Sequence, residues 1–232
     1  ENEISDEDSK KHIDKVFEIA KEFDADIDMH VDVQCDPNSR SLEYYIAKTL
    51  KENYQGRVTA SHVVALSYYN DYYARKIMRH LKLADMSITT EVPCTALIMS
   101  SLDREPKGRG ITRVKELLYS GVNVAFGHDN IMDVFNPIGE IDALKIALLT
   151  VIIAQLGIPD EIEMTFDMGT SNAAKACGFE DYGIEVGKTA NLNIIDAPTA
   201  QEAIRTQPDR LYVIREGRVI AENKTIRKIY RR

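Results

Sequence analysis

Three side chains carry the chemistry that this sequence can do: His30, His62 and Asp129. Imidazole nitrogen and carboxylate oxygen are common ligands of zinc and similar divalent metals. A metal so held lowers the pKa of a bound water and makes hydroxide available near neutral pH, and a histidine or aspartate beside it can move protons. Singly, each residue has an ordinary alternative. His30 fits a strand-end histidine bonded to backbone, His62 a satisfied polar residue of the core, and Asp129 in "GHDN" a cap for the segment that follows. Together they matter more, because each closes a short extended run: "DADIDMHV", "GRVTASH" and "VNVAFGHDN".

The elements around these runs determine whether they meet. Apolar residues at helical spacing mark residues 9–23, where Ile13, Val16, Phe17, Ala20 and Phe23 recur. Further helices are expected over 41–54, 71–83, 110–121, 139–157 and 170–179. Thr112 is the expected cap of the fourth, stopped near Gly121, and Ser171 that of the last, ended by Gly178. With "DMSITTEV" as a further strand, strands and helices alternate through short loops, the signature of βαβ units and a parallel sheet. In such sheets ligands and catalysis sit at the C-terminal edge of the strands, where His30, His62 and Asp129 fall. Past residue 189 the pattern changes. "ANLNIID" and "RLYVIREGRVIAEN" read as alternating strands without intervening helices, with Glu216-Gly217 as a tight hairpin turn. The expectation is an α/β part over 1–188 and a small antiparallel unit over 189–232.

Composition narrows the partners. The 232 residues are 44% hydrophobic and 28% charged, with a formal net charge of −8, which argues against nucleic acid and for small or neutral partners. Three widely spaced cysteines fit a reducing compartment rather than a disulfide scaffold. No signal peptide is legible at the start, and the most apolar run, Ile146 to Leu156, is too short to span a bilayer, so a cytoplasmic protein is expected. His12 and His80 lie on helices among lysines and arginines and read as solvated. Strand alternation should turn His128 away from Asp129. "KGRGITR" reads as a solvated loop. "EVPCTA" has half of the Pro-Cys-x-x-Cys zinc signature of nucleotide-type deaminases, but it lacks the second cysteine and the His-x-Glu partner, and that reading is rejected.

The segments "DMHVD", "GRVTASH", "GITRVKELLYSGVNVAFGHDN" and "DYGIEVGKTANLNIID" together resemble the amidohydrolase superfamily, in its cytosine deaminase branch, which also resembles enzymes that remove alkylamines from triazine rings. The resemblance runs from about residue 9 to the end. It implies a distorted (β/α)8 barrel with a β-sandwich and one divalent metal, zinc or iron, with manganese also fitting. By carry-over His30 is the metal ligand after the fifth barrel strand. His62, after the sixth, is a proton carrier. Asp129, after the eighth, binds metal and accepts the water's proton. Asn130 and Phe135 stand where that branch contacts substrate.

Two departures qualify this. No H-x-H pair, the family's first-strand ligands, occurs in the chain, which is expected to hold strands five to eight and part of the sandwich. The missing half would come from the same gene or another chain, and this segment alone should be inactive. The branch also carries a glutamate three residues after the His30 position, as a shuttle for the ring proton. Here that position is Val33, and alternation should turn Asp32 away. The expected activity is hydrolysis of a C–N bond on a small N-heterocycle by metal-activated hydroxide, releasing ammonia or an amine. The alternatives are hydrolysis of a cyclic amide or N-alkyl group on the same fold, and a catalytically incomplete binding or structural subunit. Expected partners are the heterocyclic substrate and the missing half, with no nucleic acid and no membrane; a homo-oligomer is a further candidate.

Overall fold

The computed structural model describes residues 5–226 and 228–230. Helix α1 (Asp6–Glu22) begins behind Ser5, whose side chain accepts from the Asp8 amide, with three acids in the first turn against the helix dipole. Then follow β1 (Ile27–Val31), α2 (Ser41–Lys51), β2 (Val58–His62), a 3-10 turn (Val64–Tyr68), α3 (Asp71–Leu83), β3 (Ser87–Thr90), α4 (Val92–Ile98), α5 (Val114–Tyr119) and β4 (Asn123–Phe126). These strands form one parallel sheet in the order β1-β2-β3-β4. The α/β expectation is met, and β1 and β4 are the sheet's two edges among the described residues.

Register gives the two faces opposite chemistry. Met29, Ala60, Ile88 and Val124 share one row, beneath the helices. They join Phe17, Tyr45, Ile46, Ile77, Leu81 and Leu117 in the main core. Burying an aliphatic or aromatic side chain of this size contributes about 1.5–3 kcal/mol, so this face holds the helices to the sheet. The rows on the other face are polar: Asp28, Thr59, Ser87 and Asn123, then His30, Ser61, Thr89 and Ala125. Helix α8 (Ser171–Ala176) covers the amino-terminal part of that polar face. Thr59 donates to the Ala176 carbonyl, Asn123 to the Asn172 carbonyl, and Asn172 to the Val124 carbonyl.

The later elements are α6 (Ala143–Ile153), α7 (Pro159–Met168), α8, β5 (Leu192–Ile195), α9 (Ala200–Thr206), β6 (Arg210–Arg215) and β7 (Arg218–Glu222). The last three strands form an antiparallel sheet in chain order, with Glu216 and Gly217 both at positive φ in the expected hairpin turn. Three expectations need correcting. The C-terminal strands do have a helix between them: α9, capped by Thr199, docks Ala203 and Ile204 onto Leu144 and Ala147 of α6. Thr112 and Ser171 are not caps, because α5 starts behind Arg113 and α8 behind Thr170. The helix expected over 139–157 is confined to Ala143–Ile153, since Asp142 accepts from the Leu144 and Lys145 amides and Gln155 is left-handed. Asp142 also pairs with Arg210, tying β6 to α6.

One carboxylate organises the first connection. The residue before α2, Arg40, offers no side-chain cap. Asp32, buried and at positive φ just after β1, supplies it from a distance. Its carboxylate accepts from the Ser41 and Leu42 amides, each at 2.9 Å, from Ser39 Oγ at 3.0 Å and from the Tyr69 hydroxyl at 3.2 Å. Burial, and then the Asp32 charge, push the Tyr69 phenol well above its ordinary range, so it remains a donor. Replacing Asp32 with alanine strands two helix amides, while the Tyr69 hydroxyl keeps its bond to the Ser39 carbonyl. In the enzyme completed by its other half, Asp32→Ala should lower stability by about 2–3 kcal/mol, read as a lower denaturant midpoint at unchanged slope. A midpoint equal to that of the parent would contradict this role.

Candidate metal centre at the carboxyl edge of the sheet

The three chemistry-bearing residues converge. One ligand atom from each of His30, His62 and Asp129 lies within 4.8 Å of the others. His62 Nε2 is 3.2 Å from His30 Nδ1 and 4.0 Å from Asp129 Oδ2, and the two imidazole rings meet edge-on at 4.3 Å between centroids. His30 reaches the site because its row faces the polar side of the sheet. Alternation alone would send His62 to the helix side, in the row of Val31. Left-handed backbone at His62 (φ 71°) and Val63 (φ 49°) turns the chain there. His62 is 3% exposed. Asp129 is left-handed as well (φ 65°). A valine at positive φ is sterically unfavourable, and such strain held at a strand end marks a functional position.

Two imidazoles and a carboxylate at this spacing are an N/O donor set suited to zinc, iron or manganese. The residues present therefore fit a divalent metal.

The other expected residues divide. Asn130 borders the cluster: its carbonyl meets His128 Nδ1 at 2.9 Å and Asn136 Nδ2 at 3.0 Å, and its side-chain oxygen lies 3.6 Å from Cys94 Sγ. Phe135 sits on the loop after β4, 62% exposed, on a stretch where Met132, Val134, Ile138 and Ile141 are exposed too. His128, as alternation required, lies outside the ligand cluster. Asp32 is turned into the α2 cap described above, and Val33 is buried. Cys94 is close, but burial, followed by its hydrogen bond to Asp129, pushes its thiol up to about 11.

The sequence pass overlooked Glu91. It follows β3 at the same edge, and its side chain does not cap α4. Burial pushes its carboxyl up to about 7; a hydrogen bond with Thr89 pulls the other way, and the Asp129 and Asp28 charges add to the rise. Gly127 makes room for it, since a Cβ at 127 would stand 2.1 Å from Glu91 Oε2. The legible signal was an acid two residues past Thr89, whose row faces the polar side.

Known relatives match this chain along nearly its whole length. The amidohydrolase family pattern matches residues 2–225. N-isopropylammelide isopropyl amidohydrolase of Pseudomonas sp. (strain ADP) is 31% identical over 215 residues, 92% of this chain and 50% of that protein. Pterin deaminase of Rhizobium rhizogenes is 31% identical over 211 residues, 90% of this chain and 48% of that protein. The crystal structure of 5-methylcytosine deaminase from Klebsiella pneumoniae, liganded with 5-fluorocytosine, superposes with a TM-score of 0.95 at 31% identity, over 98% of this chain and 55% of that one. The chain thus spans about half the length of the relatives it matches. With a family match along nearly its whole length and relatives above 30% identity, the chain belongs to the amidohydrolase family.

Proposed function

We propose that this chain is the C-terminal half of a metal-dependent amidohydrolase that hydrolyses a C–N bond of a small N-heterocycle, releasing ammonia or an amine. The observation that carries the reading is the convergence of His30, His62 and Asp129 at the carboxyl edge of a parallel sheet. Relatives named for work on ammelide, pterin and methylcytosine rings support the substrate class. His30 and Asp129 hold the metal, together with ligands from the other barrel half. When bound, the metal lowers the pKa of a water at the site. His62 accepts the water's proton or polarises the O–H bond, and Asp129 relays a proton toward the leaving nitrogen. Asn130 and Phe135 are the residues assigned to substrate contact in this reading.

The other half of the barrel is the partner this reading requires. Both edges of the parallel sheet are open among the described residues, His30 is exposed, and every residue of the edge strand β7 is exposed. Unpaired edges of this kind template association with other strands. Completion by strands one to four, and by the rest of the β-sandwich, covers them. Residues 1–232 expressed alone should be inactive and should not fold as a cooperative, metal-loaded monomer; such a monomer would overturn the half-barrel reading.

Asp129→Asn in the completed enzyme should remove most turnover, by about 10²-fold or more, and reduce metal content read by elemental analysis. Unchanged activity would reject the assignment.

Val33 favours a second reading on the same fold, hydrolysis of an N-alkyl substituent or cyclic amide, because it places no proton carrier after β1. A panel of amino- and alkylamino-substituted pyrimidines, pterins and triazines separates the two. Ammonia release supports deamination, and amine release supports dealkylation. Absence of bound metal together with no turnover would leave a binding subunit.

A further inference from the structure

The loop after β4 is built around one exposed carboxylate, Asp133. Its Oδ1 accepts from the Phe135 and Asn136 amides, each at 2.9 Å, and its Oδ2 accepts from the side-chain nitrogen of Asn130. The Asp133 amide donates to the Asn136 carbonyl at 3.1 Å, which closes the turn. Asn136 is buried, and its Nδ2 donates at 3.0 Å to the Asn130 carbonyl, the oxygen that His128 Nδ1 meets at 2.9 Å. Asn130 is thus held at its backbone from two sides and at the tip of its side chain.

That grip decides which end of the amide faces the site. A carboxylate has no hydrogen to give, so the group that meets Asp133 is the Asn130 NH2. The Asn136 amide above all, with the Asn130 side chain and the Phe135 amide, holds the Asp133 carboxyl below its usual range, which keeps it an acceptor. The Asn130 oxygen then turns to the opposite side, where the buried Cys94 Sγ lies at 3.6 Å. Asp133 is exposed and Cys94 is buried, so the nitrogen faces outward and the oxygen inward. A thiol has one hydrogen to donate and an amide oxygen has two lone pairs, so one lone pair stays open. Asn130 directly follows Asp129 of the candidate metal cluster, and what it offers there is an acceptor.

Before hydrolysis, the carbon to be attacked carries an amino or alkylamino N–H. Afterwards it carries a C=O with no hydrogen. Resting on the hydrolase reading above, we propose that Asp133 is a positioning residue for substrate selection: it holds the Asn130 nitrogen so that the oxygen accepts from the leaving N–H, and the site binds the aminated ring in preference to its oxo product. Asp129 relays a proton toward that same nitrogen, which puts its chain neighbour beside the leaving group. Against the product, the amide oxygen meets a carbonyl oxygen, and two acceptors with no hydrogen between them are both left unpaired. Substrate binding and product release are then favoured by one side-chain orientation, set by a residue that touches neither molecule.

The test uses the completed, metal-loaded enzyme and exchanges the two side chains. In Asp133→Asn the new amide oxygen still accepts from the Phe135 and Asn136 amides, so its NH2 faces Asn130, and the Asn130 amide must turn its oxygen outward and its nitrogen inward. The inhibition constant of the oxo product divided by the KM of the substrate should then fall by about 10-fold or more, with metal content as in the parent. Adding Asn130→Asp to Asp133→Asn restores an inward acceptor and should return the ratio toward the parental value. An unchanged ratio in Asp133→Asn overturns the proposal. So does an equal weakening of substrate and product that the exchange does not rescue, the result for a purely structural loop. A second readout needs no turnover. Neutron diffraction from the completed parent should place the Asn130 NH2 against Asp133, and the oxygen there instead overturns the proposal. A parent that turns over no aminated ring counts against the hydrolase reading, and the same ratio, read as dissociation constants of the aminated and oxo rings, still decides the role of Asp133; an active parent whose ratio ignores the exchange sinks that role alone.

Discussion

In a parallel sheet every strand ends at the same edge, and here the register of β1 to β4 puts residues far apart in sequence on common rows. His30, Ser61, Thr89 and Ala125 form one such row, which brings His30 to the candidate metal cluster and joins the Ser61 and Thr89 hydroxyls. A one-residue slip in any strand would exchange its polar and apolar faces. It would bury Asp28 or Ser61 under the helices and turn Met29 or Ala60 toward the site. The core therefore specifies the site: Met29, Ala60, Ile88 and Val124 are packed beneath the helices, and their neighbours must then face the other way.

Register alone does not complete the site, because two of its members lie where alternation ceases. His62 is the last residue of β2, and the left-handed turn at His62 and Val63 brings its ring against His30. Asp129 lies three residues beyond β4, also left-handed. Such conformations cost of order 1–3 kcal/mol each and persist only where the surroundings over-determine them. Val63 is fully buried, and its amide donates to the Val31 carbonyl, so the turn is fastened to β1. Asp32 fastens the same region from the other side: its backbone carbonyl accepts from the Ala65 amide, while its carboxylate holds the start of α2. The connections after β1 and β2 are thus fastened to one another, next to the strand ends that hold His30 and His62.

Much of this was legible in the residues. The four parallel strands, the helices between them, the hairpin at Glu216-Gly217, and the placement of His30, His62 and Asp129 at strand ends all rest on periodicity and turn chemistry, which are local. What escaped is not local. The Asp32 cap acts on an amide nine residues away and replaces a cap that Arg40 cannot provide. Helix α9 is seven residues long, too short for its period to stand out, and it exists because Ala203 and Ile204 find an apolar seat on α6. Glu91 reads as an ordinary acid after a strand. Its burial and the missing side chain of Gly127 give it a different environment.

The same corner of the site holds two acids and a thiol, and their surroundings separate their tasks. The Asp129 charge raises both Glu91 and Cys94, after burial has already raised each of them. The segment after β1 is occupied in building the α2 cap, through Asp32, and in packing, through Val33. At the end of β3, the glycine at 127 leaves space for the Glu91 carboxyl.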